Sequence, residues 1–577
     1  MSHAQAPGAT TAAELSCDLL VIGSGASGLA AAVTAAHHGL KVILVEKDAQ
    51  LGGATAWSGG WLWVPGNPLA QRAGIHEDLQ QPRTYLQHAL GQHFDAARVD
   101  AFLAHCGPMV GFFEQHTALQ WVDGNAIPDM HSHLPGAGTQ GHQVAAAPLD
   151  GRTLGPLIHR LRPTMRETSF IGMPIMAGAD LAAFLSLTRS VRSFVHVARR
   201  VSRHLVDLAL HGRAMQLVNG VALVARLALS AERLGVQMLT SAPARRLRIE
   251  GGRVCGAVVD SAQGERVIHA TRGVVLAAGG FSHDLARRRA LVPRAPRGDE
   301  HLPLPPPGCS GDGITLGESA GGVLDTELAA PVAWAPVSRV PHADGTVGHF
   351  PHIIDRGKPG VIGVLADGRR FVNEADGYHD YTAAMIARVP PGQEVASWLV
   401  CDHRFIRRYG LGHVRPFPLP LGGHLLSGYL KRGQTIDALA RACGIDEAGL
   451  ADTVRAFNHH ARLGEDPAFG RGRTPFNRRS GDARHTGPNP CVAPIAQAPF
   501  YAVKVLPGSF GCFAGLKTDV SACVLRADGS VVPGLYAVGT DQASVMGGHY
   551  PSGGINLGPA MTFGHIAGLH AAGQVQG

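Results

Sequence analysis

The most regular hydrophobic pattern in the chain lies near its start. Asp18–Ile22 is an apolar run of strand length, and Gly23-Ser24-Gly25-Ala26-Ser27-Gly28 follows it. Leu29–His38 then carries small apolar residues at helical density, and Leu40–Val45 is a second apolar run that ends on Glu46. Short apolar runs bounded by glycine turns read as buried strands, so the segment predicts a strand–helix–strand unit. Gly273–Gly280 and Gly534–Asp541 are further runs of this kind. Strands are also predicted at Gln237–Leu239, Ala244–Glu250 and Val254–Asp260, and a helix at Gln216–Leu234. Leu69–Gln120 has polar and apolar positions at helical spacing and predicts mostly helix. Trp121–Gly155 reads as loop, with His131, His133 and His142 as exposed loop histidines. Gly311–Thr315 starts a helix, with Asp312 and Thr315 able to bond near its first turn. Gly553–Gly564 opens the last one.

Leu181–His211 predicts a single amphipathic helix. Phe184, Leu187, Val191, Phe194, Val195, Ala198, Val201, Leu205 and Leu208 share one face. Arg189, Arg192, Arg199, Arg200 and Arg203 lie mostly opposite, and Asp207 is the only acid. Two readings fit this pattern: a basic helix lying in a membrane interface, or a core-facing helix with a solvated basic back.

Composition narrows the picture. The chain has 577 residues, enough for two or more domains with ample cores. A net charge of +7 is modest at this length, and no nucleic-acid-binding motif accompanies it. The nine cysteines form no CxxC pair, which suits reduced thiols in a cytoplasm better than a disulfide frame, zinc or an iron–sulfur cluster. Met1–Leu15 lacks the cationic start and apolar core of a secretory leader, and no uninterrupted apolar run approaches the length of a membrane span. The expected location is cytoplasmic, with peripheral contact on the inner membrane face through 181–211. The proline run His301–Gly308 marks a hinge or strap, and composition shifts there. We expect a first domain over 1–283, an inserted domain over 284–498, and a return to the first domain over 499–577. Tyr501–Val505 and Gly515–Asp519 are expected to begin that return.

The chemistry starts at the glycine turn. Gly23 permits the tight turn, Gly25 lets backbone approach a pyrophosphate, and Gly28 lets the helix pack on the sheet. The phosphates then meet the free N–H groups and positive end of a helix. Glu46 stands where a ribose diol needs an acceptor. Strand, helix, second strand and acid all fall within about 30 residues, as the dinucleotide-binding motif requires. The small residues of Leu51–Gly60 let backbone lie flat against a ligand, with Thr55 and Ser58 able to bond phosphate or a ring edge. No histidine sits in that loop to form a covalent flavin link. Asp541 ends a strand where it can take a ribityl hydroxyl.

Taken together, these pieces resemble the flavoprotein family of fumarate reductase, the succinate dehydrogenase flavin subunit and 3-oxosteroid 1-dehydrogenase. The resemblance rests on the GSGASG turn with Glu46, the Gly52–Gly60 loop, the Ala277–Gly280 turn, Arg369–Glu374 (RRFVNE), and the Tyr536–Gly564 tail. It implies an α/β fold, with a Rossmann-like FAD-binding domain interrupted by an α+β capping catalytic domain. It implies non-covalent FAD, held by Gly23, Gly25, Ala26, Ser27, Gly28, Glu46, Lys47, Gly53, Ala54, Thr55, Ser58, Gly59, Gly60, Ala278, Gly279, Asp312, Gly539, Asp541, Asn556 and Leu557. It implies no metal. No second complete GxGxxG unit is present for NAD(P)H, so a quinone or carrier protein is the expected electron acceptor.

Charge then separates the branches of that family. Fumarate reductases hold a dianion with arginines. Here the proton-donor position is Tyr378, and no arginine stands near Tyr550–Pro551. Without guanidiniums a dianion's desolvation is poorly offset, so a neutral apolar ketone, a steroid above all, is the expected substrate. In the steroid branch a tyrosine removes a proton beside a 3-oxo group, a second tyrosine and a glycine N–H polarise the carbonyl, and hydride leaves for the flavin. Tyr378, Tyr550 and Gly554 match those three. The resulting expectation is insertion of a C1–C2 double bond into a 3-oxosteroid or similar ketone; the alternative is the reverse, an ene-reductase of an enone or enoate. The steroid branch also carries a supporting tyrosine in the loop matching Asp123–Gly136. This chain has none there, and Met130, His131 or His133 takes the place, with His131 able to assume the supporting role. His549 and Ser552 are candidate pocket groups, and Trp334, Phe510 and Phe513 are candidate pocket walls.

Overall fold

The computed structural model describes residues 13–574. Two β-sheets organise it. In the first, the strand Ala13–Ile22 lies centrally, parallel to Gly264–Leu276 on one side and Val42–Val45 on the other. Gln237–Leu239 extends the sheet beyond Val42–Val45, and Val531–Ala537 extends it beyond Gly264–Leu276. Antiparallel Arg253–Ser261, Ala244–Glu250 and Cys523–Leu525 complete eight strands. The parallel strands are buried where they run side by side, over Leu19–Ile22, Val42–Val45, Val274–Leu276 and Leu535–Ala537, as expected of a sheet covered on both faces. Their carboxyl ends come together at Ile22, Val45, Leu276 and Ala537. A doubly wound sheet binds its ligand in the crevice beyond such ends.

The helix Ala26–His37 packs between Asn219–Arg233 and Leu557–Ala571. Its approach to the last helix is close because Gly564 and Gly568 lie opposite Ser27, Ala31 and Thr34; a side chain at Gly564 would collide with the Ser27 carbonyl. His565 and Thr34 share a 2.9 Å hydrogen bond across that contact.

The second sheet has seven strands, and its spine is the 13-residue strand Phe500–Cys512. The spine pairs with Ser397–Cys401 and Lys431–Gly433 along its first half. Along its second half it pairs with Val332–Pro341 and Leu302–Pro303. Tyr501–Val505, expected to start the return to the first domain, pairs in the second sheet. Its apolar run is buried on both faces, which sequence cannot distinguish from a strand of the first sheet. The chain rejoins the first sheet at Cys523–Leu525, while Gly515–Leu516 pairs with Leu324–Asp325 in a small ribbon.

Other expectations also shift. Leu69–Gln120 forms three helices, Pro68–Arg72, Gln80–Leu90 and Ala96–His116, the first capped by Asn67 and the last by Asp95. Trp121–Gly155 is not all loop: Trp121–Asp123 and Gln143–Ala146 pair in a sheet with Trp61–Trp63. Leu181–His211 is two helices, Ala179–Phe184 and Val191–His211; the second is capped by Ser190. Most of the segment read for a secretory leader lies outside the described residues. Among the described residues no helix is long and apolar enough to cross a membrane, and no cluster of three metal-ligating side chains occurs.

Candidate active site

The glycine turn stands where the parallel strands end. Gly23 has φ of 111°, donates to the Val45 carbonyl at 2.8 Å, and lies so near the Ala277 carbonyl that a side chain would collide. Gly28 sits equally close to the Gly23 carbonyl. Gly25 caps the helix Ala26–His37 with no side-chain cap, so the first turn keeps N–H groups for an outside acceptor. One of them is taken: Ala26 donates to Thr55 Oγ1 at 2.9 Å. Ser27 faces Gly539, which has φ of 67° and no room for a side chain beside the Ser27 hydroxyl.

Several polar groups expected at the ligand are also bonded to one another or to nearby backbone. Glu46 accepts from the Ser24 hydroxyl at 2.5 Å and the Ser24 N–H at 3.1 Å, and burial raises its carboxyl above the usual range. Lys47 donates to Asp312 at 2.7 Å and to the Ser310 hydroxyl at 2.6 Å. The Ser58 hydroxyl is committed to the Thr55 carbonyl and the Gly60 N–H. The fully buried Asp541 accepts from the Ala278 N–H at 2.5 Å and the Gly280 N–H at 2.9 Å, so it clamps the turn around Gly279; burial pushes its pKa up to about 6. Gly53 and Gly553 face open space where a side chain would stand. Gly59 meets only Trp61 there, at 3.8 Å, and Ala54 continues the short helix Gly53–Trp57. Asn556 precedes the helix Leu557–Ala571 and reaches the Tyr550 hydroxyl at 3.5 Å.

Beyond this cradle lies an aromatic group. Tyr378 is the first residue of the helix Tyr378–Arg388. Its ring stands edge-on to Tyr550, with centroids 4.9 Å apart, and to Phe510 at 5.0 Å. Both tyrosines are buried. Burial and then the neighbouring Tyr550 hydroxyl hold Tyr378 well above the ordinary tyrosine range, while burial pushes Tyr550 up to about 12. Phe513 and His379 pack on Tyr550. His379 accepts from the Trp334 N–H at 3.1 Å and burial lowers it to about 4, so it is a neutral imidazole. Trp334 itself packs in the core on His301 rather than on the tyrosines. Gly554 has φ of 95° and presses against Trp63, to which its carbonyl is bonded at 3.1 Å. Among the described residues no acceptor is bonded to the Gly554 N–H.

The loop around Tyr550 is pinned by the helix Gln80–Leu90, by the loop at Met130 and by the small sheet that holds Trp63 and Gln143. The Tyr85 hydroxyl donates to the Pro551 carbonyl at 2.5 Å, and Met130 N–H donates to the same oxygen at 2.9 Å. Ser552 is fully buried and accepts from Gln143 at 2.9 Å, so it is a brace. His549 bonds His93 at 3.2 Å, and burial and then His93 lower its pKa. His131 pairs with Asp380, two residues past Tyr378, at 3.0 Å. Burial pulls His131 down, but Asp380 outweighs it and the net shift is upward. His133 is exposed.

Two buried networks that sequence reading missed position these groups. His142, expected to be an exposed loop histidine, is buried between Glu77 at 2.6 Å and Asp129 at 3.0 Å, with Asp129 also holding the Trp63 indole at 2.8 Å. Burial opposes its charge, but the two carboxylates win and its pKa reaches about 10. The other network starts at RRFVNE. Glu374 pairs with Arg370 at 2.6 Å and Arg471 at 3.2 Å, and Arg370 also pairs with Asp466 at 2.8 Å. Asn373 bonds Asn477 at 2.9 Å, and Asn477 bonds Asp376 at 2.8 Å. Arg356 donates to the Glu374 carbonyl at 2.9 Å. The segment leading into Tyr378 is thus tied on several sides. The only sequence signal for these partners was RRFVNE itself, because Asp466, Arg471 and Asn477 lie about a hundred residues away.

The comparisons agree with this architecture. The model of the FAD binding domain family matches residues 18–557. The chain is 40% identical over 559 residues to 4-oxocyclohex-2-ene-1-carboxylate 5-dehydrogenase of Sinomonas cyclohexanicum, covering 97% of this chain and 94% of that protein. It is 34% identical over 570 residues to 3-oxosteroid 1-dehydrogenase of Mycobacterium tuberculosis, covering 96% and 98%. The crystal structure of 3-ketosteroid delta1-dehydrogenase from Sterolibacterium denitrificans in complex with 1,4-androstadiene-3,17-dione superposes with a TM-score of 0.89 at 33% identity, covering 97% of this chain and all of that one. Fold, cradle and these relatives define an FAD-dependent oxidoreductase acting on CH–CH groups. The chain belongs to the FAD-binding flavoprotein family that includes the 3-oxosteroid 1-dehydrogenases.

Glu374→Gln leaves two buried arginines short of a carboxylate. Removing one partner of a buried ion pair costs about 3–5 kcal/mol, so a melt followed by circular dichroism should show a clearly lowered Tm; an unchanged Tm would show the network to be dispensable. His142→Gln tests the other brace through pH. The folded pKa lies above the unfolded one, so this stabilisation is complete below about 6.5 and fades as pH rises to about 10. The Tm gap between wild type and variant should therefore be widest at pH 6 and close by pH 10, whereas a constant gap would contradict a buried imidazolium.

Proposed function

We propose that this flavoprotein dehydrogenates the C1–C2 bond beside the carbonyl of a neutral six-membered-ring ketone of the 3-oxosteroid type. The observation that carries the reading is the buried Tyr378–Tyr550 pair, with the N–H of Gly554, four residues beyond Tyr550, bonded to no acceptor among the described residues. In this reading Gly23, Gly25, Ala26, Ser27 and Gly28 cradle the FAD pyrophosphate, and Glu46 takes the ribose. The Gly53–Gly60 loop, with Ala54, Thr55, Ser58 and Gly59, lies along the cofactor, and Gly539, Asn556 and Leu557 meet its ring end. Lys47, Asp312, Ala278, Gly279 and Asp541 act by fixing the turns that shape this cradle. When bound, FAD supplies the hydride acceptor.

The protein's part is proton chemistry and polarisation. Tyr378 takes the proton from the carbon next to the carbonyl. The Tyr550 hydroxyl and the Gly554 N–H donate to the ketone oxygen and stabilise the negative charge that develops there. Tyr378 heads its helix, so the helix dipole favours its anion, although burial opposes it. Asp380 and His131 hold the first turn of that helix against the Met130 loop, the place of the missing supporting tyrosine.

Charge favours a neutral substrate. His379 is neutral, His549 is lowered, and His131 is already paired. Arg356 is the guanidinium whose charge reaches Tyr378, and it is buried and committed to carbonyl oxygens. The relatives named for steroid dehydrogenation support the steroid type; the relative named for a carboxylated cyclohexene supports the same ring-ketone chemistry on another substrate.

The test combines a variant with a pH profile. Tyr378→Phe should lower turnover by about 10²–10⁴-fold, the usual worth of a positioned general base, while the bound-flavin spectrum is retained. Because the wild-type hydroxyl is held above its ordinary value of about 10, kcat/KM should climb roughly tenfold per unit from pH 7 to pH 9 without a plateau. Full activity in the variant, or a flat profile, would overturn the assignment of the base.

A further inference from the structure

The helix Val191–His211 is docked with its polar face inward. Ser193, Val197, His204 and Asp207 are the residues it buries. Asp207 pairs with Arg152, Arg200 with Asp180 at 3.4 Å, and Arg203 with Asp150 at 3.3 Å. His204 bonds the Ile171 carbonyl at 2.8 Å, and Arg200 donates to the Pro174 carbonyl at 3.0 Å. The apolar stripe points the other way. Val191 is 82% exposed, Phe194 and Val195 58%, Leu205 52% and Leu210 71%. This reverses the usual rule for a surface helix, whose apolar stripe faces the core. The helix cannot roll over to bury the stripe without breaking the Arg152–Asp207 pair and leaving a buried carboxylate alone.

A second feature says what covers the stripe. Arg192 and Arg199 are exposed on its flank, about 80–100° round from Val191 at the helical period, and among the described residues neither has an acidic partner. Apolar side chains pointing outward with cations at their edge match the boundary of an anionic bilayer. There the stripe enters the acyl region and the arginines reach the headgroups. A second copy of the chain would bring the same uncompensated arginines face to face. We infer that Val191–His211 is a membrane-interface anchor that seats the protein on anionic lipid without spanning it. This inference is independent of the substrate reading.

The test uses the FAD-loaded full chain and sedimentation with vesicles. Wild type should pellet with vesicles of equal phosphatidylcholine and phosphatidylglycerol, and at least tenfold less with phosphatidylcholine alone. Phe194→Asp with Leu205→Asp should reduce the partition coefficient at least tenfold. Arg192→Gln with Arg199→Gln should remove the preference for phosphatidylglycerol. The substituted side chains are exposed, so both variants should keep the flavin spectrum, Tm and turnover of dispersed substrate. Failure of wild type to pellet with either vesicle would overturn the inference. So would a stable dimer, seen by light scattering, that the Phe194/Leu205 variant converts to monomer, because the stripe would then belong to a second copy.

Discussion

The structure depends on one buried carboxylate. Glu374 is fully inaccessible, and it is shared by Arg370 and Arg471, with Asp466 balancing the second positive charge. Four charges out of water are costly, and only close geometry with the remaining donors satisfied offsets that cost. Here the terminal nitrogens of Arg471 also donate to the carbonyls of Val361, Arg356 and Lys358, its Nε alone being left without a partner, and Gly363 donates to Glu374. A network of this kind contributes definition more than net stability. It holds the segment from Asn373 to Gly377 against the second sheet, and the next residue is Tyr378.

Tyr550 and Gly554 are placed from the opposite side. The loop before the last helix is fixed by Tyr85, Met130, Gln143 and Trp63, and Trp63 is in turn held by Asp129. The aromatic pair therefore forms where two independently braced elements meet. The glycine turn is built by a third device, the convergence of four parallel strand ends, with Glu46 and Asp541 clamping the turns from inside. Separate braces let the chemistry vary at positions such as His131 while the cradle stays fixed.

Much of this was legible in the sequence, unevenly. The strand–turn–helix–strand unit stood out because its signal is local: glycines at fixed offsets between two apolar runs. Tyr378 and Tyr550, whose rings pair in the structure, were singled out through the motifs that flank them, not through any periodicity. What escaped was long-range. The partners of Glu374 lie about a hundred residues on, and nothing in the surroundings of Asp466 or Asn477 marks them. His142 looked like a loop histidine because its carboxylates, Glu77 and Asp129, have no metal-like spacing to it. Tyr501–Val505, expected to begin the return to the first domain, pairs in the second sheet, and a strand buried on both faces carries no label for its neighbours. The helix Val191–His211 showed its amphipathic pattern, but which face turns inward is decided by Asp150, Asp180 and Arg152, all outside it.

The most direct measurement is an anaerobic single turnover. The oxidised, FAD-loaded protein is mixed with androst-4-ene-3,17-dione, the flavin absorbance is followed, and the product is weighed by mass spectrometry. The account predicts bleaching of the flavin and a product lighter by two hydrogens, with 4-oxocyclohex-2-ene-1-carboxylate reacting far more slowly. Rapid bleaching by the carboxylate and none by the steroid would contradict the neutral-substrate reading while leaving fold and cofactor intact.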